Sequence, residues 1–174
     1  GDDPSQSPDF CRIASERHAA RFQQLLEGQK IHTGGRVDVA NRYVAPTIVL
    51  DPAPDSALMT EEIFGPVLPV ITVDEMHHAI KHVADRPKPL ALYLFTKSKT
   101  LEEAVLAKLS AGSVCINDAV IFMVSPELPF GGVGNSGMGR YTGWYGFETF
   151  SHMKPVLWRS FMLDAPMRYP PYND

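Results

Sequence analysis

The sequence predicts an α/β fold in which a parallel sheet carries helices on both faces. Three observations lead there. Between residues 67 and 117, strand-like and helix-like segments alternate with short connections, the pattern of crossovers between parallel strands. Residues 67–73 are β-branched and almost wholly apolar, the composition of a strand covered on both faces. The composition is that of a folded domain, with 44% of the 174 residues hydrophobic and 21% charged.

Taken in order, Ser7 before Pro8 opens a helix over residues 9–27. The hydroxyl caps a free amide, and the proline sits where a missing N–H costs nothing. Phe10, Ile13, Phe22, Leu25 and Leu26 supply its apolar positions, and Gly28 ends it. Gly34-Gly35 then turns the chain into an extended segment over residues 43–50, in which Pro46 points to a sheet edge or an irregular strand. A loop over residues 51–66 leads to the apolar strand at 67–73. Met76, Ala79, Ile80 and Val83 fall on one helical arc that Arg86-Pro87 terminates. Residues 90–96 read as a second strand. Thr100 and Glu103 form a capping box for a helix with Leu101, Ala104, Val105 and Leu109 along one face, before Gly112. Residues 113–117 return as a third strand. From Asp118 the periodicity fails for about twenty residues, and so long an irregular stretch inside a compact domain is usually functional. A short helix over 138–144, a late strand over 149–159 and an extended tail over 164–174 complete the chain.

Charge and composition remove several functions. Sixteen Lys and Arg stand against twenty Asp and Glu, a formal net charge of −4 with no basic block, so nucleic acid is not an expected partner. No apolar run approaches the roughly 18 residues of a membrane-crossing helix. Cys11 and Cys115 form neither a disulfide framework nor the paired spacing of a zinc site, which points to a reducing, cytoplasmic compartment. Because the first methionine is Met59, the sequence reads as a piece of a longer protein.

The residues offer several candidate chemistries, most of them weak. Gly132-x-Gly134-x-x-Gly137 has the letters of a dinucleotide fingerprint. It lacks the strand before it and the βαβ unit around it, so a tight loop is expected instead. His78 and His82 could share a helix face, but they lie away from the apolar stripe with no further ligand in view. Cys115 sits between Val114 and Ile116 in a core strand, where a thiol acts as a small hydrophobe. Ser136 lacks a nucleophile elbow, and adjacent Ser151 and His152 point apart in a strand. No catalytic residue and no metal site is assigned. What remains is Glu61-Glu62-Ile63-Phe64-Gly65-Pro66 before a buried strand. It is either a solvated loop charge or a corner that holds polyol hydroxyls against an aromatic ring; the residues alone leave both open.

That run is followed by Lys88-Pro89-Leu90-Ala91-Leu92-Tyr93, by Asn117-Asp118, by Leu128-Pro129-Phe130-Gly131-Gly132-Val133-Gly134-Asn135-Ser136-Gly137, and by Phe147-Glu148-Thr149-Phe150-Ser151-His152. In order and spacing these blocks resemble the C-terminal part of an aldehyde dehydrogenase, in particular the class 3 branch that acts on fatty and aromatic aldehydes. The resemblance runs over essentially the whole chain and implies NAD or NADP as cofactor and an aldehyde as substrate. It implies that Glu62 accepts hydrogen bonds from the nicotinamide ribose, that Phe64 packs beside the nicotinamide, and that Phe130 and Gly131 help wall the substrate tunnel. It divides the chain into a catalytic-domain part (1–147), an oligomerisation strand (148–160) and a tail (161–174). A homodimer is expected through the strand that opens at Glu148 and closes at Arg159. In that family a cysteine thiolate attacks the aldehyde, and neither Cys11 nor Cys115 matches its motif, so the chain by itself is expected to be inactive. Phe122 and Thr142 depart from the histidines that class 3 members often carry. The alternative is a catalytically dead assembly module of the same fold; a small nucleotide-binding module built on Gly132 to Gly137 is a third reading.

Overall fold

The computed structural model describes residues 3–172, which form two compact units that divide between Ala79 and Ile80. The last two positions of the expected tail lie outside the described residues.

In the first unit, helix α1 (Glu16–Leu26) starts where Ser15 accepts the His18 amide on its hydroxyl at 3.3 Å. The helix expected from residue 9 is therefore shorter. Ser7 does accept an amide, from Asp9 at 3.2 Å, but closes only a turn. Beyond it, tertiary partners hold the chain out of a helix: the Ile13 amide donates to the Arg42 carbonyl at 2.8 Å, and Phe10 meets Tyr43 edge-on at 5.9 Å. Cys11 consequently lies exposed in an irregular stretch rather than on a helix.

Strands β1 (Ile31–Thr33), β2 (Val37–Asp38), β3 (Tyr43–Val44), β4 (Thr47–Leu50) and β5 (Val67–Val70) follow. β2 and β3 make an antiparallel pair, whereas β4 runs between β1 and β5, antiparallel to the first and parallel to the second. Pro46 thus breaks one expected strand into two and leaves β4 central, not at an edge. Buried Thr47 stitches the break by accepting the Gly35 amide and donating to the Ala45 carbonyl, at 2.9 and 2.7 Å. Pro69 is tolerated because β5 is a border strand, where a missing donor goes unnoticed. The core gathers Phe22, Leu25 and Leu26 of α1 with Val44, Val49 and Val67 of the strands and Leu58 of the short helix α2 (Ala57–Thr60). Val67 faces this core, while Leu68, on the opposite face, is 58% exposed. The expected burial on both faces is not what the strand shows. Helix α3 (Met76–Ala84) comes next.

In the second unit, β6 (Ala91–Leu94) pairs in parallel with β7 (Ser113–Ile116), and α4 (Lys99–Lys108) makes the crossover between them. The expected capping box is replaced: Ser98, not Thr100, is the cap, accepting the Leu101 amide at 3.3 Å. Val105 is the buried anchor of α4. After β7 the chain is irregular, with short 3₁₀ turns over Ile121–Val124 and Gly134–Ser136. The helix expected over 138–144 forms later, as α5 (Gly143–Thr149). Gly139 and Thr142 have φ of 78° and 88°, outside helical space, so a helix cannot begin before them. Glu148 and Thr149 close α5 instead of opening a strand, and residues 151–160 carry no ladder pairing among the described residues. A strand exists only with a neighbour to bond to, and Trp158 here is 90% exposed. The α/β class stands as expected, and so does the β6–α4–β7 crossover; the single parallel sheet expected over residues 67–117 does not, because β5 takes β4 as its partner and β6 pairs with β7 alone.

Candidate functional site

The corner before β5 is shaped by α1. Arg21 and Phe22 are adjacent on that helix, at the margin and the centre of its buried face. Arg21 Nη1 donates to the Ile63 carbonyl at 3.0 Å, and Nη2 donates to the Glu62 carbonyl at 2.7 Å and to Glu61 Oε2 at 3.0 Å. Phe22 lies directly beneath Gly65: a Cβ at that glycine would sit 2.2 Å from Phe22 Cζ. Ile63 turns inward against the core, and the Glu61 amide is held by the Ala57 carbonyl of α2 at 2.9 Å. With the intervening residues drawn in, the side chains of Glu62 and Phe64 are left outside. Phe64 is 81% exposed and has φ of 45°, a left-handed conformation that a bulky residue rarely adopts.

Chemically, this corner offers a carboxylate, which accepts hydrogen bonds from hydroxyl groups, and two residues on, the flat apolar face of a phenyl ring. Both suit a ribose joined to an aromatic heterocycle. The resemblance named Glu62 and Phe64 for this task, and both are exposed on the loop that Arg21 holds. It did not name Arg21. Arg21 stands one turn before buried Leu25 on the edge of the apolar stripe, a position from which a long cation reaches either solvent or a partner, so the local sequence did not single it out.

Phe130 and Gly131 belong to the second unit. Phe130 exchanges two backbone hydrogen bonds with Tyr141, at 2.9 and 2.8 Å, and its ring continues an aromatic row from Tyr93 through Phe122 to Tyr141. Gly131 passes so close to the Gly139 carbonyl that a Cβ would lie 2.2 Å from its oxygen. The glycine cluster is the tight loop the sequence suggested: Gly132 packs backbone to backbone on Ser136, whose hydroxyl accepts the Val133 amide and donates to its carbonyl, both at 3.0 Å. At the ends of β6 and β7, Asn117 Oδ1 accepts the Thr96 amide at 2.7 Å. Cys115 is half-buried within β7, opposite Tyr93. His82 is half-buried against Arg86, whose Nη1 lies 2.8 Å from Nδ1; desolvation and then the Arg86 charge hold its pKa below the ordinary histidine value. Among the described residues, no group of three or more His, Cys, Asp or Glu is placed to hold a metal, and no helix is long and apolar enough to cross a membrane.

A family model described as the aldehyde dehydrogenase family matches residues 1–156. The chain belongs to the aldehyde dehydrogenase family. This aldehyde dehydrogenase chain is 47% identical to aldehyde dehydrogenase family 3 member A2 of Rattus norvegicus, over 100% of the chain and 36% of that relative. It is 45% identical to the dimeric NADP-preferring aldehyde dehydrogenase of the same organism, over 98% of the chain and 38% of that relative. Among solved structures, the substrate-bound AldH of Staphylococcus aureus superposes with a TM-score of 0.86 at 44% identity, over 97% of this chain and 37% of that one. A Mycobacterium tuberculosis aldehyde dehydrogenase complexed with NAD+ gives a TM-score of 0.76 at 29% identity, over 88% and 33%. The chain therefore spans well under half the length of these relatives.

Proposed function

We propose that this chain supplies the cofactor-orienting corner and part of the substrate passage of an NAD(P)-dependent enzyme that oxidises aliphatic or aromatic aldehydes to carboxylic acids. The observation that carries the reading is the joint exposure of Glu62 and Phe64 on a backbone bonded by Arg21 of α1. A dinucleotide, when bound, accepts the hydride that leaves the aldehyde carbon. Glu62 accepts hydrogen bonds from the ribose hydroxyls, and Phe64 presents its ring to one side of the nicotinamide, so that the two limit the orientations the ring can take. Orientation is where such residues contribute rate, because a small misplacement of reacting atoms is costly. Phe130 and Gly131 wall the approach of the aldehyde. The cysteine nucleophile is supplied by residues outside this chain, and the 174-residue chain alone is inactive.

The enzyme works as a cytoplasmic homodimer, joined through the segment from Glu148 to Arg159. Support comes from the unpaired run over residues 151–160 with Phe150, Leu157 and Trp158 exposed, and from a relative named as dimeric. The same run favours a second reading, an assembly module without catalysis. Steady-state assay of the full-length protein separates the two. Formation of NADH or NADPH from aldehyde is expected, and Glu62→Gln is expected to raise the cofactor KM about tenfold or more, since a hydrogen bond to a charged acceptor contributes about 1.5–3 kcal/mol. No turnover with either cofactor would favour the assembly module.

A further inference from the structure

We propose that Arg21 is a positioning residue: its guanidinium fixes the backbone of the Glu62 to Phe64 corner and so sets where the two outward side chains stand. The inference rests on the reading that this corner receives the nicotinamide nucleotide. Arg21 reaches across some forty positions of sequence to three acceptors at once, the Ile63 carbonyl at 3.0 Å, the Glu62 carbonyl at 2.7 Å and the Glu61 carboxylate at 3.0 Å. Two of the three are main-chain oxygens of the residues that immediately precede Phe64. They fix the peptide planes leading into its left-handed φ of 45°. That conformation is unfavourable for a residue with a large side chain, so it persists only when the surroundings over-determine it.

The fork geometry matters more than the charge. A planar guanidinium donates along two edges to neighbouring carbonyls, whereas an ammonium on a flexible stem satisfies one of them well. The Arg21 side chain is 29% exposed and Glu61 55%, so the ion pair with Glu61 is screened and contributes little. The carbonyl bonds are the clamp. From the other side, Phe22 closes the space under Gly65, and the loop is gripped between one polar and one apolar residue of the same helix. Neither Arg21 nor Phe22 need touch the cofactor.

The test uses the full-length protein with isoleucine δ1 methyls labelled for methyl NMR, together with steady-state kinetics. Arg21→Met keeps the stem and removes the fork. It is expected to shift and broaden the Ile63 resonance while Ile48 and Ile116 stay in place, and to raise the KM for NAD(P) severalfold with little change in the KM for aldehyde. Arg21→Lys is expected to fall between the two. An Ile63 signal identical to wild type in Arg21→Met would overturn the clamp, whatever the corner binds. A disturbed Ile63 with an unmoved cofactor KM, in an enzyme where Glu62→Gln does move it, would overturn the positioning role. If neither substitution moves it, the reading of the corner itself falls and takes this inference with it. Should Arg21→Met not fold, Arg21→Lys decides alone: wild-type spectra and wild-type KM would overturn the proposal.

Discussion

Two neighbouring residues of the corner respond to opposite constraints. Phe64 holds φ at 45° with its side chain in the open, whereas Gly65 has ordinary backbone space but no room, with Phe22 Cζ 2.2 Å from where a Cβ would be. Gly65→Ala must displace a fully buried ring and is expected to cost about 1–3 kcal/mol, as overpacking does. Phe64→Gly relieves a left-handed conformation and loses little burial, so its cost is expected to stay under about 1 kcal/mol, the scale of a glycine's backbone entropy. Urea denaturation of the two variants checks the order; equal losses would mean that Phe22 yields freely. Glu62 and Phe64 were legible as residues because their motif is local. Arg21 and the sign of the Phe64 φ were not, because both are set by contact between a helix and a loop about forty positions apart.

Element boundaries were decided by which amide found a partner first. Ser15 and Ser98 start α1 and α4 with hydroxyl caps, while Ser7 and Thr100, equally suitable by composition, lose to tertiary contacts or to a cap two residues earlier. Existence and type of the long periodic segments were readable for the same reason that their ends were not: burial of a stripe is a property of the sequence, capping is a competition. At the end of α3, His82 gives a prediction in pH. The Arg86 guanidinium can donate to its ring only while the ring nitrogen is unprotonated, and desolvation together with the Arg86 charge lowers its pKa from 6.5, against a smaller opposing pull from Asp85. Below about 6.5 the unfolded chain therefore takes up a proton that the folded chain resists, and stability falls as pH drops through that value toward the folded-state pKa. His82→Gln is expected to flatten this part of the stability profile in thermal melts between pH 7.5 and 5.5, windows chosen to bracket the roughly 6.5 reference value; an unchanged profile would place the titration elsewhere.

Over the whole molecule, apolar surface is distributed unevenly. The first unit closes a core around α1, β4 and β5, but Leu68 and Phe64 stay open on it, and the second unit leaves Phe150, Leu157 and Trp158 uncovered. The chain spans 36% of the length of its relative from Rattus norvegicus. The class and the β6–α4–β7 crossover were visible in the alternation of residues 67–117; a late strand could not be read the same way, because a strand needs a neighbour to bond to and residues 151–160 have none among the described residues. The proposed role of Glu62 and Phe64 is to orient the nicotinamide. Its most direct test is the primary deuterium isotope effect on kcat with a C1-deuterated aldehyde, measured on the full-length protein and on Phe64→Ala. Misorientation slows hydride transfer alone, so the isotope effect is expected to rise as kcat falls. A Phe64→Ala enzyme with wild-type kcat and an unchanged isotope effect would contradict the account.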